Sequence, residues 1–167
     1  GYFQRVAADR LPLMMEMEAD RMINIRFDPD EIEAERGVVY EERNQRTDSD
    51  PGSLFREQLN AAQYLNHQYV IPIIGWRHES EAITREDLRD FYEAHYAPNN
   101  AILVVAGDVE PDAVRALAEE HFGPIPANPE IASRARPEEP PQLSERRLVM
   151  RDARVAQPYV SRTYLAP

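Results

Sequence analysis

"AILVVAGDV", residues 101–109, carries the clearest strand signal in the chain. An apolar run of this length, bounded by turn residues and lacking helical periodicity, implies a strand buried on both faces. On its C-terminal side "PDAVRALAEEHFG" (111–123) predicts a helix, with Pro111 opening it and Gly123 closing it. On the N-terminal side "APNN" turns the chain. Before that turn, "TREDLRDFYEAHY" predicts a helix with a capping-box-like Thr84 and Asp87, and with Leu88, Phe91, Tyr92 and His95 on one side.

Further out, "YVIPIIGW" (69–76) is apolar but broken by Pro72 and Gly75, so it predicts an ordered connection rather than a central strand. Leu54, Phe55, Leu59, Ala62 and Leu65 predict a helix, preceded by a loop at "TDSDPGS" (47–53). Residues 9–27 place Leu11, Met14, Met15, Met22 and Ile25 at helical spacing, with Pro12 tolerable in a first turn. A second helix is expected from Pro29 to about Gln45, with Asp28 as its N-cap and acids in its first turn. Toward the C-terminus, Pro124, Pro126, Pro129, Pro137, Pro140 and Pro141 with few large apolar residues predict an exposed linker. "RRLVMRD" and "QPYVSRTYLA" after it predict two short strands opening a new unit.

The chain has 167 residues, enough for one domain with a real core, or for one domain plus the start of another. Its net charge of −11 argues against a nucleic-acid or anionic-membrane partner. With no cysteine, disulfides, thiolate-bound zinc and thiol nucleophiles are excluded. No run approaches the length of a membrane span, and the first fifteen residues lack the pattern of a signal peptide. Without an initiator Met, the chain is expected to begin inside a larger protein.

The helix around "EIEAERGVVYEERNQR" (31–46) raises the functional question. Each residue advances about 100° around a helix, so Ile32, Val38 and Val39 mark one arc, and Glu35 and Glu42 fall inside it. Glu33 and Glu41 point away from it. A carboxylate buried on an apolar face needs a cation, a hydrogen-bond network or a metal. Glu35 and Glu42 lie roughly 10 Å apart along the axis, so one metal ligand and one supporting acid is a natural division. The simpler reading of the spacing is that Arg36, Arg43 and Arg46 neutralise the acids in ordinary ion pairs. Of the histidines, His95 and His121 suit helix C-termini, and His67 and His78 flank the Pro72–Gly75 connection. No HExxH, HxxEH, GxSxG or phosphate-binding glycine loop is present.

The sequence "FDPDEIEAERGVVYEERNQRTDSDPGSLFREQL" and then "YVIPIIGW", "YAPNN" and "VVAGDV" closely resembles the M16 family of zinc metallopeptidases, which includes pitrilysin, insulin-degrading enzyme and the mitochondrial processing peptidase. The resemblance runs from about Tyr2 to Pro167. It implies an α+β fold, helices packed on an antiparallel sheet in a LuxS/MPP-like metallohydrolase sandwich, incomplete in this chain. Residues 1–126 would be the C-terminal part of the first M16 domain, 127–145 a linker and 146–167 the first strands of the following unit.

The resemblance implies that Glu42 is the glutamate ligand of Zn2+ and Glu35 the supporting acid, which reverses the preference for ordinary ion pairing. The family's other ligands are two histidines of an HxxEH motif whose glutamate is the general base, and that motif would precede Gly1. One carboxylate cannot fix a catalytic zinc ion, so the chain alone is expected to be inactive and to hold zinc weakly. Its sheet edges would stay unpaired or be covered by self-association. The implied partners are a peptide substrate and a second M16 half or subunit. Bacterial cytoplasm or periplasm is the favoured compartment. Two alternatives stand beside the peptidase: a non-catalytic M16-like subunit that binds peptides or supports an active partner, and an acidic helical interaction module.

Overall fold

A strand exists only where a second backbone accepts and donates its hydrogen bonds, and the segment after Asn100 finds none. The computed structural model describes residues 1–131 and 133–165, and no β-strand occurs among them. The expected α+β fold with an antiparallel sheet is therefore corrected: the described residues form helices joined by turns and extended segments. Residues 101–106 run extended without a ladder. Their side chains alternate as an extended chain dictates. Ile102 and Val104 are 93% and 80% exposed, whereas Leu103 and Val105 line an open hollow of about 420 Å³ with Val109, Pro111 and Val114. Neither face of the apolar run is therefore buried: Leu103 is itself 49% exposed and Val105 is half-buried. The two strands expected after residue 146 are also absent among the described residues. In their place a turn forms in which the Asp152 carboxylate accepts from the backbone and guanidinium of Arg154. Ala132, Ala166 and Pro167, which belong to the expected linker and last strand, lie outside the described residues.

Six α-helices are formed among the described residues: α1 (Leu11–Asn24), α2 (Pro29–Arg43), α3 (Pro51–Gln63), α4 (Arg77–Ala82), α5 (Arg85–His95) and α6 (Pro111–His121). All but α4 follow from the sequence patterns. The chain divides into two units, one of Gly1–Ile32 with Ile83–Arg134, the other of Glu33–Ala82 with the segment from Ala135 onward.

In the first unit α1 packs on α6, and α1 buries Met15 and Ala19. Pro12 sits in the first turn of α1, where its missing N–H costs nothing. The Thr84–Asp87 capping box closes the start of α5, with the Thr84 Oγ1 accepting from the Asp87 backbone at 3.1 Å and Asp87 accepting from the Thr84 backbone at 2.8 Å. Aromatic side chains then tie α5 to α1: the Tyr92 hydroxyl donates to the Arg21 carbonyl at 2.9 Å, and Phe27 meets the Tyr92 ring edge-on.

In the second unit α2 runs into a widened π-helical turn, Asn44–Asp48, whose Ser49 N–H reaches back five residues to the Asn44 carbonyl at 3.0 Å. Asp50 then caps α3, accepting from the Ser53 N–H at 2.8 Å. The apolar "YVIPIIGW" connection is ordered, as Pro72 and Gly75 predict: Gly75 closes a turn onto the Pro72 carbonyl at 2.8 Å and adopts φ +79, a left-handed conformation that favours glycine. The Pro-rich segment returns to the C-terminal end of α3. Glu139 accepts three successive backbone N–H groups, from Leu65 (2.7 Å), Asn66 (2.9 Å) and His67 (2.8 Å). Gln142 and Arg146 donate to the carbonyls of Ala62 and Gln63, which the end of a helix leaves without intrahelical partners.

Candidate functional site

The first turn of α2 is built to start a helix. The Asp28 carboxylate accepts from the Asp30 N–H at 2.9 Å, Pro29 occupies the first helical position, and Asp30 and Glu31 sit where the helix dipole favours negative charge. From there the helix delivers its residues by periodicity. Seven residues return to nearly the same azimuth, about 20° short of two full turns, so Glu35 and Glu42 lie on one face with Val38 and Val39 between them.

That face is open. Val38 is 59% exposed, Glu35 is exposed and Glu42 is half-exposed. Glu42 borders an open groove of about 660 Å³ with Val38, Gln45 and Arg46. The sequence reading that aims both acids inward is thus corrected in one respect: they share a face, but no described residue encloses it. The desolvation penalty that would force a partner on them does not arise within this chain.

The three arginines separate. Arg46 pairs with Glu42 at 3.0 Å, the ordinary i,i+4 ion pair. Arg36 reaches Glu33 at 3.4 Å and donates to the Ser80 carbonyl at 2.6 Å. Arg43 turns to the other side and is 6% exposed. Its two terminal nitrogens form a fork on the Glu57 carboxylate at 3.0 and 3.1 Å, Nη1 also donates to the Gly75 carbonyl at 2.9 Å, and Nη2 lies 3.3 Å from Asp48. The hydrogen bond to Glu57 raises the Arg43 pKa above its ordinary value; burial opposes this, and the charges of Glu57 and Asp48 add to the rise. The guanidinium is therefore permanently charged. Its Nε is buried and makes no hydrogen bond.

Sequence reasoning missed this hub, because it grouped Arg43 with its neighbours as a counter-ion. The available signal was azimuth: eleven residues bring Arg43 to within about 20° of Ile32, on the apolar side of α2.

The histidines gather no metal site. His67 accepts from the Tyr69 N–H at 3.2 Å and sits among Tyr64 and Tyr69, His78 is exposed, and His95 and His121 occupy the last turns of their helices as expected. Among the described residues no group of three or more histidine, aspartate or glutamate side chains could hold a metal ion. Glu42 nonetheless fits as a single carboxylate donor. It stands at the edge of an open groove, and the pair it makes with the 75%-exposed Arg46 side chain is of a kind worth about 0–1 kcal/mol, so it exchanges at little cost.

Residues 1–76 match the family model described as insulinase, peptidase family M16, and residues 82–167 match the peptidase M16 inactive domain. An uncharacterized zinc protease of Mycobacterium tuberculosis is 35% identical over 122 residues, covering 73% of this chain and 28% of the relative. The crystal structure of a protease from Helicobacter pylori superposes with a TM-score of 0.71 at 32% identity, over 81% of this chain and 33% of that one. The first half of the periplasmic protease PqqL from Escherichia coli gives a TM-score of 0.68 at 25% identity, over 81% and 29%. The chain thus spans 28% of the length of the mycobacterial relative, and it shares the chain path of the solved proteases although its described residues form no sheet.

Proposed function

The chain belongs to the M16 family of peptidases, and from that premise we propose that α2 supplies Glu42 as one protein ligand of zinc in a zinc-dependent endopeptidase, with Glu35 as the supporting acid. The observation that carries the reading is the shared open face: two carboxylates one heptad apart, nearly aligned, with a groove beside Glu42.

Zinc, when bound, would lower the pKa of a water molecule toward neutrality and polarise a peptide carbonyl. Glu42 would hold the ion through a carboxylate oxygen, in place of its exposed pair with Arg46. Glu35 stands on the same face and would support the cationic centre electrostatically. A catalytic zinc ion takes about three protein ligands, so the remaining ligands and the general base come from outside the described residues. The substrate is a peptide, and a second M16 half or subunit completes the enclosure. Residues 1–126 belong to the first M16 domain, 127–145 connect, and 146–167 begin the next unit.

The test is the full-length protein with Glu42→Gln. The substitution keeps size and hydrogen bonding but removes the anionic donor, so zinc retention against a chelator should fall sharply and peptide cleavage with it, while the thermal transition is unchanged. Equal zinc content and activity would refute the assignment. A second reading, a non-catalytic M16-like subunit, draws support from the match of residues 82–167 to the inactive domain. The presence of both Glu35 and Glu42 supports the enzyme instead.

A further inference from the structure

Glu42 is followed directly by the most constrained side chain of the second unit. Arg43 is anchored to three separate segments at one point: the Glu57 carboxylate on α3, Asp48 at the end of the π-helical turn, and the Gly75 carbonyl of the left-handed turn. Stability alone does not account for such a hub. A buried ion pair is a weak source of stability, because desolvating two charges offsets much of their attraction. Here the guanidinium also buries its Nε without an acceptor, a further cost. What the hub does provide is location. The fork fixes both distance and orientation, and no rotation or sliding of the last turn of α2 leaves all its bonds intact.

We infer that Arg43 is a positioning residue for Glu42: by pinning the last turn of α2 to α3, the π-helical turn and the Gly75 loop, it sets the azimuth and height at which the Glu42 carboxylate meets its metal. The inference rests on the zinc reading of Glu42. Helix geometry supplies the coupling. Adjacent residues lie about 100° apart, so with Arg43 gripped on one side, Glu42 projects from the neighbouring side into the groove. A metal ligand must be held within about 0.5 Å of its productive place, and half-exposed Glu42 is held only by its surface pair with Arg46. The π-helical turn is the second observation. Such turns are rare and frequent at functional sites, and this one carries Asp48 round to Arg43.

The experiment uses the full-length protein in three forms: Arg43→Met combined with Glu57→Leu, which removes both charges and leaves neither orphaned; Arg43→Lys, which keeps the charge and loses the fork; and Glu42→Gln. The readouts are zinc affinity by chelator competition, the visible absorption of the cobalt-substituted protein, and the melting temperature. The Arg43 variants are expected to keep their thermal transition within a few degrees while zinc binding weakens about 10- to 100-fold and the cobalt bands shift. Wild-type affinity and wild-type cobalt bands in a folded Arg43 variant would overturn the positioning role. If the double variant does not fold, Arg43→Lys decides by the same criteria; if neither folds, Arg43 serves stability and the proposal falls. Glu42→Gln separates the two levels: zinc lost there but kept in the Arg43 variants removes only the positioning role, whereas zinc kept in Glu42→Gln removes the metal reading and this inference together.

Discussion

The hydroxyls of Tyr2 and Tyr96, far apart in sequence, stand 2.6 Å from each other. The bond to Tyr2 is the main reason the Tyr96 hydroxyl is pushed up to about 12, with burial and the nearby tyrosines adding to it and Arg21 opposing it. A folded-state pKa above the unfolded value of about 10 means that this bond stabilises fully below pH 10, and that its contribution is lost as pH rises from 10 toward 12. Absorbance titration near 295 nm should show Tyr96 ionising late in the wild type. In Tyr2→Phe it should ionise earlier, and alkaline unfolding should flatten over that window. An unchanged titration would show that the hydroxyl pair does not hold in solution.

The Arg43–Glu57 fork makes its own thermodynamic prediction. Both side chains are buried, so Glu57→Ala leaves a charge without its partner and should cost about 3–5 kcal/mol in denaturant unfolding. Adding Arg43→Met to that background should recover most of the loss, because the penalty lies in the orphaned charge rather than in the missing attraction. Simple additivity of the two losses would contradict this account.

Glu139 links the Pro-rich segment to the chain leaving α3. Partial burial pushes its pKa up, but the three N–H donors of Leu65, Asn66 and His67, together with the charge of His67, outweigh it and hold the carboxyl below its usual range. The sign follows: the contact is complete above the ordinary glutamate pKa of about 4.3 and weakens as pH falls through the lower folded value. Amide exchange at residues 65–67 should quicken in that acid window, and Glu139→Gln should quicken it at neutral pH while amides of α1 stay protected. Exchange at 65–67 indifferent to Glu139→Gln would refute the contact.

The cap of α5 is a local test. Thr84→Ala removes the hydroxyl that accepts from the Asp87 backbone and should cost about 1 kcal/mol, and Thr84→Ser should restore it. Urea midpoints of the three proteins measure this directly. A Thr84→Ala protein as stable as the Thr84→Ser one would show that the hydroxyl contributes nothing.

Legibility in the sequence tracked the range of the interactions. The capping box at Thr84 and Asp87, the Asp28 and Pro29 start of α2, and the Pro111 start of α6 are local devices, and a single stretch of residues specifies each. "AILVVAGDV" misled because an apolar run reports a tendency to be buried, while a strand needs a partner backbone that no described residue supplies. The Arg43 hub was hidden for a related reason. Its acceptors, Asp48, Glu57 and Gly75, are spread along three segments, and nothing near Arg43 in sequence says which of three arginines turns inward. For Glu35 and Glu42, periodicity established that they share a face; what that face meets depends on residues elsewhere.

The π-helical turn after α2 carries one residue more than ordinary winding would. Deleting a residue between Asn44 and Asp48 lets the backbone close to ordinary α-helix, and the five-residue reach of the Ser49 N–H to the Asn44 carbonyl is lost with it. The widened turn that carries Asp48 round to the Arg43 guanidinium would be lost, whereas Asp50, downstream of the deletion, would keep its cap on Ser53. The length of this turn is therefore under tighter constraint than its composition, because its widened winding is what brings Asp48 to Arg43.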